Sequence, residues 1–167
     1  MATTNIAWGL KGLSFAPVGK ITSATWDSVG NVLEGSISLN FEAPTANHVK
    51  VEEVDAPIFT KYEEGAKSVE LDIADVSKET IEKLFGVTAS GNQLSIPDKT
   101  KPLNKMVKFE FQEGGSLYFT NASIVASFGG SMTKTGSDIF NVHLTMSVNA
   151  GLGGSTYEGS GIVLEVA

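Results

Sequence analysis

The 167-residue chain contains no cysteine, only two histidines and no apolar run long enough to cross a membrane. Without cysteine there can be no disulfide framework, no thiolate catalysis and no thiolate zinc site. A membrane helix needs about 18 or more consecutive apolar residues, so we expect a soluble chain without a membrane anchor. The first 20 residues also lack the basic start and the continuous apolar stretch of a secretory signal, so we do not expect secretion by a signal peptide.

Basic residues are also scarce. There are 12 basic and 19 acidic side chains, which gives a net charge of -7, and the lysines form no run. Because clustered cations supply most of a protein's affinity for phosphate backbones, the chain is a poor candidate for holding DNA or RNA tightly. Nucleic acid could still pass close to such a surface without binding to it.

The sequence contains no recognisable catalytic or metal-binding motif. His48 and His143 are far apart in the sequence and are not spaced as ligand pairs one helical turn apart. The neighbouring carboxylates Glu52 and Glu53 would point to opposite faces of a strand and could not converge on one substrate atom. We therefore predict that the protein is not an enzyme and has no cofactor or metal.

Apolar and polar residues alternate along most of the chain, as is typical of half-buried strands. The clearest case is "IFNVHLTMSVNA", in which Val142, Leu144, Met146 and Val148 share one face. We also predict an early hairpin between "KITSATW" and "LEGSISLNFE". About eight to ten such strands in one domain over residues 1–167 predict a mainly β fold, a β-sandwich or a barrel.

One segment, "SVELDIADVSKETIEKLFGV", has the features of a helix. Asp75 or Ser77 can cap its first turn, and Gly86 is placed to end it. These signals predict one short flanking helix at about residues 76–85. Its apolar stripe would consist of Ile81, Leu84 and Phe85.

Two segments lack regular periodicity. Residues 1–18 suit an extended N-terminal arm, which could lie on the protein's own core or bind a partner. Residues 55–66 are predicted to form a long loop, whose apolar residues could cover its own core or insert into a neighbouring subunit. The candidate inter-subunit contacts in these segments are Trp8, Leu10, Phe15, Pro57, Ile58, Phe59 and Tyr62.

The order of these features resembles the tail tube proteins (major tail proteins) of long-tailed bacteriophages, a family related in layout to the tube proteins of contractile secretion systems. The likeness lies in the N-terminal arm, "NFEAPTANHVKVEEV", the segment "DAPIFTKYEEGA", the strand-to-helix stretch "ELDIADVSKETIEKLFG" and the late strand "IFNVHLTMSVNA". It spans most of the chain and is a resemblance of layout.

The resemblance implies a structural virion protein that forms a homo-oligomer. Six copies would close a ring, and rings would stack into a tube that conducts DNA without specific binding during ejection. The implied location is the virion tail, assembled in the host bacterial cytoplasm together with other tail proteins. Candidate lumen-facing polar residues are Glu42, Glu52 and Glu110.

A non-catalytic β-sandwich binding module for glycan or peptide is the alternative. Such a module needs a cluster of exposed aromatic side chains, whereas only 8% of the residues are aromatic and most of them fall on inward positions of the predicted strands.

Overall fold

The computed structural model describes residues 8–99, 101–133 and 139–166. The described residues form a mainly β protein with ten strands and one α-helix, which confirms the predicted fold class. The strands are β1 (Trp8–Ala16), β2 (Asp27–Ser28), β3 (Ser38–Phe41), β4 (Thr45–Val51), β5 (Val54–Glu63), β6 (Lys67–Ile73), β7 (Leu103–Glu113), β8 (Ser116–Gly129), β9 (Asn141–Val148) and β10 (Ile162–Glu165). The helix, α1 (Lys78–Phe85), lies between β6 and β7.

Eight of the strands form one antiparallel sheet that curls into a barrel-like shape. Its order is β2-β1-β7-β8-β9-β6-β3, and β10 pairs with the first part of β8. Residues 29–33 bridge the two sides of the curled sheet. The Val29 N–H donates to the Leu13 carbonyl of β1, and the Leu33 N–H donates to the Asp72 carbonyl of β6.

The core fills the inside of this curled sheet. Cross-strand neighbours on the inner face include Leu13 with Phe109 and Leu71 with Leu144, all of them buried. The alternation predicted for β9 is confirmed, since its apolar side chains point into this core. The fully buried side chains include Leu13, Leu71, Ile73, Leu84, Met106, Val107, Phe119, Ile124, Leu144 and Met146.

Helix α1 lies within the predicted range and closes one end of the barrel. Ser77 is its N-cap residue, and Gly86 ends it with φ +66°, in the left-handed region that glycine adopts without strain. The apolar stripe of Ile81, Leu84 and Phe85 is buried, and the helix packs against β8. We call this the helix end of the barrel.

Asp75 stabilises the first turn of the helix. Its carboxylate accepts hydrogen bonds from the Ser77 N–H at 2.9 Å and from the Thr80 hydroxyl at 2.9 Å. These hydrogen bonds lower the pKa of Asp75 below its usual 3.8, and the bond from the Ser77 N–H has a larger effect than the bond from Thr80. The stability that this carboxylate contributes is therefore present above its unfolded-state pKa and is lost as the pH falls through the folded-state pKa.

We expect Asp75→Asn to lower the free energy of unfolding at pH 7 by roughly 0.5 kcal/mol, since Asp75 is only half-buried and the amide still accepts some of these bonds. The difference from the wild-type chain should begin to shrink as the pH falls below the unfolded-state pKa, and it should be lost once the pH has passed the folded-state pKa, where the wild-type carboxylate is protonated. Urea unfolding of both chains at pH 7 and pH 3 measures it. A difference that stays constant between these two pH values would contradict this account of the helix start.

The strand directions place the β4–β5 hairpin at the opposite end of the barrel from the helix. Strand β6 begins next to the hairpin and runs toward α1. The Glu42 N–H donates to the carbonyl of Ala66, the residue just before β6, at 2.9 Å, and this bond holds the hairpin base beside the start of β6. We call this end the mouth of the barrel, because apolar side chains remain exposed there.

The glycine-rich stretch before β10 is held against the outside of β8. The Thr120 hydroxyl donates to the Ser160 carbonyl, and the Asn121 amide donates to the Ala150 carbonyl at 3.0 Å. The Glu158 carboxylate accepts a hydrogen bond from the Ile21 N–H at 3.0 Å. These bonds position β10 as a strand beside β8.

Two predictions about local structure were wrong. Residues 55–66 are not a long loop, because most of them form β5, which pairs with β4. The predicted early hairpin is absent from its region, where residues 21–23 form a short 3-10 helix and β2 pairs with β1. For the N-terminal arm the sequence left two alternatives open, and Trp8 to Ala16 follow the first of them, a strand that lies on the protein's own core. Residues 1–7 lie outside the described residues.

Candidate assembly surface

The β4–β5 hairpin projects from the barrel and buries almost nothing in its own chain. All the residues of both strands are exposed except Thr60, which is half-buried. Within the hairpin, the His48 Nδ1 atom lies 2.9 Å from the Thr60 hydroxyl oxygen. A two-stranded hairpin that covers no core is marginally stable in water, so this element gains stability if another surface covers it.

Both faces of the hairpin carry apolar side chains. Val49 pairs with Phe59 on one face, and Ala46 pairs with Tyr62 on the other. Phe59 and Tyr62 are 58% and 67% exposed, so neither ring is held in a core. Exposed aromatic side chains of this kind are typical anchors of protein interfaces.

The tip of the hairpin is acidic. We define the hairpin tip as residues 50–55, with Glu52 and Glu53 in the turn and Asp55 just after it. None of these three carboxylates makes an ion pair with another described residue. Val51 and Val54 pair across the tip and are exposed between the charges.

The mouth of the barrel is an open apolar groove of about 260 Å³. Leu39 on β3 lines this groove and remains 62% exposed, because no element covers it among those described. The groove is lined by Gly9, Leu10, Ile37, Leu39, Phe109, Phe111 and Leu117.

Two strands at the mouth have an unpaired edge. Within the described residues, β3 pairs only with β6, and β10 pairs only with β8. Phe41 on β3 and Leu164 on β10 are exposed. Monomeric proteins protect such edges with charge, proline or a covering element, whereas these edges carry apolar residues.

The helix end of the barrel carries a second apolar surface, which the sequence analysis did not identify. Phe128 lies 5.0 Å from Phe85 and 5.2 Å from Phe140, measured between ring centroids, and is still 45% exposed. Met132 and Ile139 are exposed nearby in sequence. Both ends of the barrel therefore present apolar side chains to solvent.

The predicted contact residues lie on two strands, four of them on β5 and three on β1. Pro57, Ile58, Phe59 and Tyr62 lie together on the exposed strand β5. Phe15 is only 4% exposed and packs in the core, so its prediction as an inter-subunit contact was wrong.

The other two predicted contacts lie on β1. Leu10 is half-buried at the mouth, where it lines the apolar groove. Trp8 begins β1 and pairs with Glu113, and its side chain lies outside the described part of the structure.

The structure does not bring the predicted lumen-facing residues together on one strand face. Glu42 lies at the hairpin base, where its carboxylate accepts a hydrogen bond from the Ala66 N–H at 3.3 Å. Glu52 is at the hairpin tip, and Glu110 lies on the outer face of β7, 3.5 Å from the Lys11 ammonium. A shared channel surface would therefore require several copies of the chain.

The described residues contain no cluster of three or more histidine and carboxylate side chains that could hold a metal ion. His143 and Asp72 form a cross-strand pair between β9 and β6, with 2.7 Å between the His143 Nδ1 atom and the Asp72 carboxylate. The pair lies on the outer face of the sheet, where it can join the two strands.

In the described parts of the chain, no helix has both the length and the apolar composition needed to cross a bilayer. Comparison with known proteins gives no family assignment. No protein-family model matches the chain, and no curated protein sequence is significantly similar to it.

Proposed function

We propose that this protein is the structural subunit of a phage tail tube. Copies of the chain assemble side by side into rings, six to a ring as in the family that the sequence resembles. The rings stack into a hollow tube in the virion tail and conduct DNA. No chemical step belongs to this function, and its specificity lies in the contacts between copies.

The observation that carries this proposal is the exposure of the β4–β5 hairpin. An element of 7 and 10 strand residues that buries no core is costly to order unless a second molecule covers it. Its apolar side chains lie on both faces, so one covering surface would leave one face in water. Contacts with two neighbours account for both faces.

The arrangement of the two barrel ends supports stacking. The hairpin and the apolar mouth are at one end, and the helix with its exposed aromatic surface is at the other. Contacts between two different surfaces of identical subunits are head-to-tail, and they repeat without limit when the operation includes a translation. The free edges of β3 and β10 offer further contacts between neighbours in a ring.

The charge of the chain suits a conduit for DNA. A net charge of -7 in each copy repels phosphate, and a ring multiplies this charge around its axis. DNA could then move through the tube without the cation contacts that would retain it.

The binding-module alternative has weaker support. Trp26 lies 5.5 Å from Tyr118 between ring centroids, with the Lys108 ammonium over both rings. Tyr118 is only 6% exposed, so within this aromatic pair Trp26 alone is left to stack on a sugar ring.

The experiment that tests the proposal is the assembly state of the purified full chain. We expect rings or tubes in negative-stain electron microscopy, together with a sedimentation coefficient that rises with concentration. Added double-stranded DNA should not bind the subunits at physiological salt. A chain that stays monomeric at millimolar concentration and on addition of preformed tail-tip complexes would contradict the proposal.

A further inference from the structure

The helix end of the barrel contains a groove of about 220 Å³, to which the proposed function has so far given no role. Phe85 and Phe128 form its aromatic wall, and Ile96 adds an apolar side chain. Lys99 and Lys101 lie at the rim, both exposed and without an ion pair to any described residue. The groove thus combines apolar surface with two exposed positive charges.

The hairpin tip has the complementary composition. Its Val51 and Val54 are 38% and 47% exposed, and they are surrounded by three carboxylates that make no ion pair within the described part of the chain. Lys50 reduces the net charge of the tip to about -2, and Asp98 reduces that of the groove to about +1, so the two surfaces still attract each other. In one contact, the tip valines can cover the apolar side chains of the groove while the tip carboxylates face its lysines.

One chain cannot make this contact with itself. Strand β6 runs from the hairpin base toward α1, so the tip and the groove lie at opposite ends of the barrel. A second copy in the same orientation presents its groove toward the first copy's tip. The contact is therefore head-to-tail and can be repeated from copy to copy.

We infer that the hairpin tip of one copy docks in the helix-end groove of another copy. This inference rests on the proposed function, and it names the two surfaces that join successive rings. The carboxylates of the tip meet Lys99 and Lys101, while the tip valines cover Phe128. Since the charged groups are near the surface, added salt should weaken the contact.

Charge reversal tests the electrostatic part of the contact. Glu52→Lys with Glu53→Lys, or Lys99→Glu with Lys101→Glu, should each raise the protein concentration needed for half-assembly by roughly tenfold. The chain that carries all four substitutions has the wild-type net charge and should assemble at nearly the wild-type concentration. Glu63→Lys with Glu64→Lys, at the hairpin base, is the matched control and should cause a smaller rise.

A disulfide test locates the contact, because the natural chain has no cysteine. Val54→Cys and Ser127→Cys place one thiol at the tip and one in the groove, both on exposed residues. Oxidation of the double variant should give a ladder of covalent oligomers, with dimers the limit for either single variant. Val54→Cys with Leu152→Cys, a pair outside the proposed contact, should give no ladder.

The outcomes separate this inference from the proposed function. Wild-type tubes, together with no tip-to-groove ladder and no rescue by the fourfold variant, would overturn the docking inference and leave the tube function standing. A wild-type chain that never assembles would overturn both.

Discussion

Leu144→Ala is expected to lower the free energy of unfolding by about 2 to 5 kcal/mol. Leu144 lies in the middle of β9 and is fully buried. Its neighbours on the adjacent strands are Leu71 and Ala126. The alanine side chain is too short to fill the space that the truncated leucine would leave, so a cavity should remain. Urea or thermal unfolding followed by circular dichroism measures the loss.

The same chemical change on an exposed strand residue is the control. Leu164 on β10 is 56% exposed, so Leu164→Ala should change the free energy of unfolding by no more than about 0.5 kcal/mol. Both chains must be measured at concentrations at which they are monomeric, since assembly adds stability. A loss at Leu144 no larger than the loss at Leu164 would mean that the inner sheet face is not the core.

The sequence predicted the elements whose environment is uniform along their length. Strand β9 has one face in the core and one face outside, so Leu144 and His143 alternate as the burial does. The helix was located because its capping residues and its apolar stripe agree, with Gly86 supplying the left-handed backbone at its end. In these segments, local chemistry and tertiary packing favour the same structure.

The β4–β5 hairpin could not be predicted in the same way, because neither of its faces is buried within the chain. Phe59 and Tyr62 lie on opposite faces of the hairpin, so no period-2 pattern marks β5 as a strand. The residues were therefore interpreted as a loop. Its exposed apolar residues were recognised as candidate contacts, but its strand structure was not.

The groove at the helix end was missed for a different reason. Phe85, Ile96 and Phe128 come from the helix, the segment after it and the end of β8, and only the fold brings them together. The residues that flank each of these three positions in the sequence give no sign of a shared surface. A surface made from distant segments leaves no local pattern, and so it becomes visible only in three dimensions.

Removal of the hairpin is expected to abolish assembly and leave the barrel folded. The pairing of β3 with β6 places Glu42 beside Ala66, so an Asn-Gly turn in place of residues 43–65 should join the two strands directly. The shortened chain loses exposed residues almost exclusively, and its unfolding midpoint should stay within a few degrees of that of the monomeric full chain. Sedimentation velocity and electron microscopy should detect only monomers.

A hairpin variant that keeps the strands but loses apolar contact area separates the two roles of this element. Val49→Thr with Phe59→Thr retains β-forming residues at a cross-strand pair while removing its aromatic ring. If the hairpin contributes contacts between copies, this variant should need a higher concentration than the wild-type chain to assemble, while its monomer should unfold at the same temperature as the wild-type monomer.

If the shortened chain still forms rings and tubes, the contacts lie elsewhere on the barrel and the hairpin has another use. Unfolding of the shortened monomer would instead mean that the hairpin stabilises its own chain, which its exposure argues against.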